Sequence, residues 1–126
     1  MGVALFWAVL IAVLHVIPGK NLSFIKLDDL FQLDKIFHLL VFTIGTWLLF
    51  RALKKQYANA AFRYTFIAYT LYGILLELMQ GFCIKGRHAD LLDLIADIAG
   101  VTLALWLNQK FYQSETIKSK KKDYFC

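Results

Sequence analysis

The chain predicts an all-α fold, an integral membrane four-helix up-and-down bundle. Three observations carry that expectation. The 126 residues are 60% apolar and their mean hydropathy is +0.58, whereas a soluble domain sits nearer half apolar. The apolar residues gather into four long runs separated by short polar connections. Those runs are continuous rather than alternating, so they read as helices and not as barrel strands, and lipid admits only these two as spanning structures.

The first run spans Gly2 to Ile17 and stops at Pro18-Gly19, a pair that breaks helices. At 1.5 Å per residue it is about 24 Å long, short against a hydrocarbon core of about 30 Å. No basic n-region and no A-x-A-like cleavage site is evident, so the run is expected to stay as an anchor. His15 reads as an interfacial histidine. Residues 20–35 mix polar and apolar side chains, as a segment lying at the interface does, with a short helix expected over Asp28 to Leu33.

The second run, Ile36 to Leu53, is entered through Asp34, an expected helix N-cap. His38 lies four residues on and shares its face. Gly45 lies on roughly the same face, where a small residue lets a neighbouring helix approach. The third run, roughly Phe62 to Met79, closes on Glu77 and Gln80, three apart and on one face. A short connection then holds Arg87. The fourth run, Leu91 to Leu107, carries Asp93, Asp97, Gly100 and Ala104 at intervals of three or four, a polar and small stripe down an apolar helix. Residues 108–126 read as a basic tail, disordered or lying on anionic lipid, behind a membrane domain of residues 1–107.

The formal charge of +5 raises nucleic acid as a partner, but no nucleic-acid-binding motif is present and the charges fall between apolar runs. The partner indicated is a lipid bilayer. Cys83 and Cys126 have neither metal-ligand nor redox spacing and read as unpaired thiols. Four spans put both termini and the middle connection on one side. That side holds nine of the 14 basic residues, five lie opposite, and the excess marks it as cytoplasmic. The expected localisation is a multi-pass protein of the cell membrane, with cytoplasmic N- and C-termini.

The span ends that carry Asp34, His38, Glu77, Gln80 and Asp93 then converge on the outer face, with Arg87 beside them and Asp97 one turn deeper. Ionisable side chains inside apolar helices are costly and commonly functional. Carboxylates with a histidine suit general acid–base work; oxygen ligands suit a divalent cation; Arg87 suits a phosphate or carboxylate headgroup. The competing reading is an interhelical network that fixes packing. H-E-x-x-H, G-x-S-x-G and Walker motifs are absent, so no residue is assigned a catalytic role, and neither a cofactor nor a metal is assigned.

The order of these residues resembles the VanZ-like family. Asp34-Lys35, His38 and Phe42 resemble its D-K-x-x-H-x-x-x-F entry, and Glu77 and Gln80 its E-x-x-Q. Arg87, Asp93, Asp97 and Gly100 resemble an R-x6-D spacing followed by D-x-x-x-N-x-x-G, with five residues between Arg87 and Asp93 here. Pro18 after the first span also fits, and the resemblance covers about residues 5–107. Two positions depart: Asp97 stands where the family usually has asparagine, and Ala104 where glycine is common. The resemblance implies a small four-helix membrane protein of the bacterial envelope, from a family linked to resistance to the glycopeptide teicoplanin. The expectation is an outward polar site that recognises an anionic or lipid-linked envelope component. A membrane-embedded hydrolase or transferase using the same Asp/Glu/His cluster, and a structural or assembly subunit, are the alternatives.

Overall fold

A computed structural model describes residues 1–16, 27–57, 59–83 and 89–124. Among them the chain is all-helical: α1 (Gly2–Val16), α2 (Leu27–Lys54), α3 (Ala61–Cys83) and α4 (Leu91–Tyr124). Three stretches are long and apolar enough to cross a membrane: Leu33–Lys54, Ala61–Cys83 and Leu91–Ser114. At 15 residues, α1 is shorter, about 22 Å.

Two boundaries differ from the sequence expectation, for one reason. Helices persist until something terminates them, and the chain has no glycine or proline between Gly19 and Gly45 or after Gly100. The short helix expected near Asp28 and the second run are therefore one helix. Asp34 sits inside α2, seven residues past its first residue, and is not its N-cap. Likewise α4 does not end at Leu107 but continues through the basic tail to Tyr124. Pro18-Gly19 and the first part of the expected interfacial connection lie outside the described residues, as do Arg87 and Cys126.

Each helix buries one stripe at helical spacing. On α1 it includes Ala4, Ile11 and His15; on α3 it is Ala61, Thr65, Tyr69, Gly73, Leu76, Glu77 and Gln80. On α2 it runs through His38, Val41, Phe42, Gly45, Thr46 and Phe50, and on α4 through Asp93, Asp97, Gly100, Val101, Ala104, Leu105 and Asn108. The stripes meet in a core around Phe42, Ile11, Leu76 and Leu105.

Polar groups share that core, while many large apolar residues lie outside it. His15, His38, Thr46, Thr65, Glu77, Gln80, Asp93, Asp97 and Asn108 are buried, while Phe6, Leu71, Leu75, Phe82, Leu91 and Ile95 are each more than half exposed. A soluble helical protein places its large apolar residues inside.

Polar tie points fix the helices against one another. Trp7 Nε1 donates to Val41 O at 3.0 Å, joining α1 to α2, and the Tyr72 hydroxyl donates to Ala8 O at 2.5 Å, joining α3 to α1. Thr43 Oγ1 donates to Gly100 O at 3.2 Å across α2 and α4.

Small residues permit this closeness. A Cβ on Gly100 would stand 2.5 Å from Leu39 O and 3.2 Å from Thr43 N, both backbone atoms that cannot rotate away. A Cβ on Gly45 would collide with the Tyr69 ring and hydroxyl and with Trp7 Cδ1, at the junction of α1, α2 and α3. Ala104 is fully buried further along α4.

Gly100→Ala is expected to force α2 and α4 apart, costing about 1–3 kcal/mol as overpacking does. Thermal unfolding in detergent, followed by circular dichroism, should show a clear fall in midpoint. An unchanged midpoint would mean that the two backbones do not approach this closely.

Candidate functional site

The polar groups meet where the C-terminal ends of α1 and α3 adjoin the first half of the α2 span and the start of α4. His38, on α2, is the hub. It is 1% exposed, and its Nδ1 lies 2.9 Å from Asp97 Oδ1 on α4 and 3.9 Å from Glu77 Oε1 on α3. Asp97 is also 1% exposed and Glu77 5%. Three helices thus each contribute one ionisable side chain to a point shielded from the surroundings.

A second layer joins α2 to the start of α4. Lys35 Nζ donates to Asp90 Oδ2 and to Asp93 Oδ1, each at 3.2 Å. Asp90 precedes α4, and its Oδ1 accepts the Leu92 N–H at 2.9 Å, as an N-cap does. The Asp90 backbone N–H in turn donates to Glu77 Oε2 at 3.1 Å, which fixes the end of α3 against the start of α4. Gln80 Nε2 donates to His15 O at 3.3 Å and closes the end of α1 onto α3. The His15 ring stands edge-on to His38, with centroids 4.6 Å apart, and its Nδ1–H donates to Ile11 O at 2.7 Å.

The structure thus brings together Asp34, His38, Glu77, Asp93 and Asp97. One donor atom from each of His38, Glu77 and Asp97 lies within 4.8 Å of the others, and the same holds for Asp34, His38 and Asp93. Gln80 is buried, and its described bond goes to the α1 backbone rather than to the cluster. Arg87 lies outside the described residues. Gly73, opposite the cluster on α3, leaves room for Asp97: a Cβ there would stand 3.1 Å from Asp97 Oδ2.

Sequence reasoning missed three participants. His15 is 3% exposed and packed on His38; its place on the same α1 stripe as Ile11 was the available signal. Lys35 lies three residues before His38, and so one turn away on that face. Asp90 directly precedes an apolar run, the position of an N-cap.

The chemistry of the described site is acceptor-rich. Five carboxylates, those of Asp34, Glu77, Asp90, Asp93 and Asp97, gather around one lysine and the imidazole of His38, with the His15 ring beside it. Glu77 Oε1 and Asp97 Oδ2 are buried and have no hydrogen-bond partner among the described residues. Such a centre suits a cation, a proton or a ligand bearing N–H or O–H groups. The His38–Asp97 pair also has the form of a base held by an orienting carboxylate.

About 20 Å along α2 from His38, a cleft of about 570 Å³ opens between α2 and α4, lined by Trp47, Arg51, Lys54, Lys55, Asn108 and Tyr112. Lys54 Nζ stands 3.3 Å from the Tyr112 ring centroid there. This cleft is basic and aromatic, and it lies apart from the carboxylates.

The chain matches no protein-family model, no curated protein and no solved structure. Among the described residues, fold and site together define an all-helical protein with three helices long and apolar enough to cross a membrane, enclosing a carboxylate–histidine centre.

The Leu92 N–H and then the Lys35 ammonium hold the Asp90 carboxyl below its ordinary value of 3.8, against the opposing effect of burial. A depressed folded value means that this stabilisation is complete above the ordinary aspartate range and is lost as pH falls through the folded value. Asp90→Ala should therefore lower stability at neutral pH by about 1 kcal/mol, as loss of a cap does. The gap from wild type should narrow once pH falls below 3.8. Stability curves against pH check this; a gap that stays constant into acid would remove Asp90 from both roles.

Proposed function

We propose that the chain is a VanZ-like integral membrane protein of the bacterial envelope, a four-helix up-and-down bundle whose buried polar centre recognises the headgroup of a lipid-linked envelope component. The observation that carries this reading is the His38–Asp97 contact of 2.9 Å, fully buried and flanked by Glu77, inside helices whose outer surfaces are apolar. Intramembrane ionisable groups that face a bundle interior commonly mark a ligand or ion pathway.

Several features support the architecture. His15 beside His38, with Trp7 bonded near Gly45, runs α1 against α2; Asp90 bonded to Glu77 runs α4 against α3. Excess basic residues, with the basic cleft at Arg51 and Lys54, favour the cytoplasm for that end and the outer face for the carboxylates. The acceptor-rich site favours a headgroup that presents hydroxyl or ammonium donors to Glu77 and Asp97. An anionic group of the same ligand falls to Arg87. The family link to teicoplanin resistance is carried only by the resemblance in sequence order.

A second reading has its own observation. His38 oriented by Asp97 is arranged as a general base, which favours a hydrolase or transferase acting on the same lipid.

Mass spectrometry of lipids that co-purify with the full chain tests the proposal. Wild type should carry an envelope lipid reproducibly, and Glu77→Gln should carry about tenfold less at unchanged helicity, the scale of one lost charged hydrogen bond. A wild-type preparation with no such lipid above a matched membrane-protein control would refute ligand recognition. Loss of helicity in Glu77→Gln would instead favour the purely structural role. On intact cells, an impermeant maleimide should label exposed Cys83 and spare Cys126; the reverse would invert the topology.

A further inference from the structure

We infer that His38, Glu77 and Asp97 form a binding site for one divalent first-row transition ion. The inference deepens the reading above, since it assigns a ligand class to the same centre. Two independent observations point to it. The first is donor spacing. With metal–ligand bonds of about 2.1 Å, donors in neighbouring coordination positions stand about 3.0 Å apart at right angles and about 3.4 Å apart at tetrahedral angles. His38 Nδ1 stands 2.9 Å from Asp97 Oδ1 and 3.9 Å from Glu77 Oε1. Glu77 Oε1 would have to move closer to His38 for all three side chains to ligate one ion.

The second observation is unmet acceptor capacity. Glu77 Oε1 and Asp97 Oδ2 are buried without a hydrogen-bond partner among the described residues, in side chains that are 5% and 1% exposed. Buried polar atoms are nearly always satisfied, so one orphaned oxygen on each of the two carboxylate side chains beside His38 requires an explanation. A divalent ion supplies one. Two carboxylates and a neutral imidazole bring a charge of −2 to the ion's +2, so the filled centre is neutral, which a low-dielectric interior favours over separate carboxylates.

The ligand set narrows the metal. Imidazole nitrogen among carboxylate oxygens suits zinc, iron and manganese better than magnesium or calcium, which prefer oxygen alone. Coordination through Nδ1 requires the neutral imidazole with its proton on Nε2, so a bound ion would take the place of the His38–Asp97 hydrogen bond of the metal-free chain. The neighbouring group of Asp34, His38 and Asp93 is the weaker choice. Asp93 Oδ1 already carries the Lys35 ammonium at 3.2 Å, and Asp34 is only partly buried.

The test is zinc titration by calorimetry on the full chain in nanodiscs after chelator treatment. One zinc should bind per chain. Glu77→Gln and Asp97→Asn, which keep side-chain shape, should each weaken it by about tenfold or more, and Asp34→Asn by less than about threefold. Copper-substituted wild type, which involves no substitution, should show electron paramagnetic resonance splitting from a single nitrogen. Absence of saturable one-to-one binding, a loss in Asp34→Asn equal to that in Asp97→Asn, or a copper signal without nitrogen would each overturn the site. Wild type that carries envelope lipid but takes up no zinc would refute the metal alone. Zinc uptake without lipid would refute lipid recognition alone.

Discussion

Everything near the His38 centre follows from the cost of placing carboxylates inside apolar helices. An isolated buried carboxylate is penalised by several kcal/mol. The chain meets that cost by pairing across helices. Asp97 is held by His38, Asp93 shares the Lys35 ammonium with Asp90, and Glu77 accepts the Asp90 backbone N–H. The acids of the centre find partners on neighbouring helices, so each helix fixes the position of the next. The same groups that make the centre chemically capable also hold α2, α3 and α4 in register.

A second constraint is closeness. Cross-helix bonds of this length need helices that nearly touch, and glycine supplies that at Gly100 and Gly45. Packing is tightest between α2 and α4, where Thr43 reaches the Gly100 carbonyl and His38 reaches Asp97 on the same pair of helices. The molecule is consequently two-ended: carboxylates gather at one end, and lysines, arginine and aromatic rings line a cleft at the other. That asymmetry matches the different partners found on the two faces of a bilayer.

Much of this could be read from residue order. The four apolar runs gave the helices, and the three-to-four spacing of Asp93, Asp97, Gly100 and Ala104 gave the buried stripe of α4. Spacing within one helix could not show contacts between helices, so the packing of His15 on His38 was not legible. Polarity could not show where a helix ends. The basic residues after Leu107 continue α4 because lysine, glutamine and glutamate are good helix formers and nothing breaks the helix. Asp34 looked like a cap because the apolar run began after it, yet α2 starts earlier and Asp90 is the residue that caps. Cap identity depends on which backbone N–H groups are orphaned, and that is set by helix limits rather than by composition.

The claim on which the rest depends is that His38 and Asp97 are energetically coupled within the helices. A double-mutant cycle in detergent or bilayer, using His38→Ala, Asp97→Asn and the double variant, isolates that coupling. A coupling of about 1 kcal/mol or more is expected for a buried charged hydrogen bond between helices. Additivity of the two single changes to within about 0.3 kcal/mol would contradict it, because residues that do not interact add in this way.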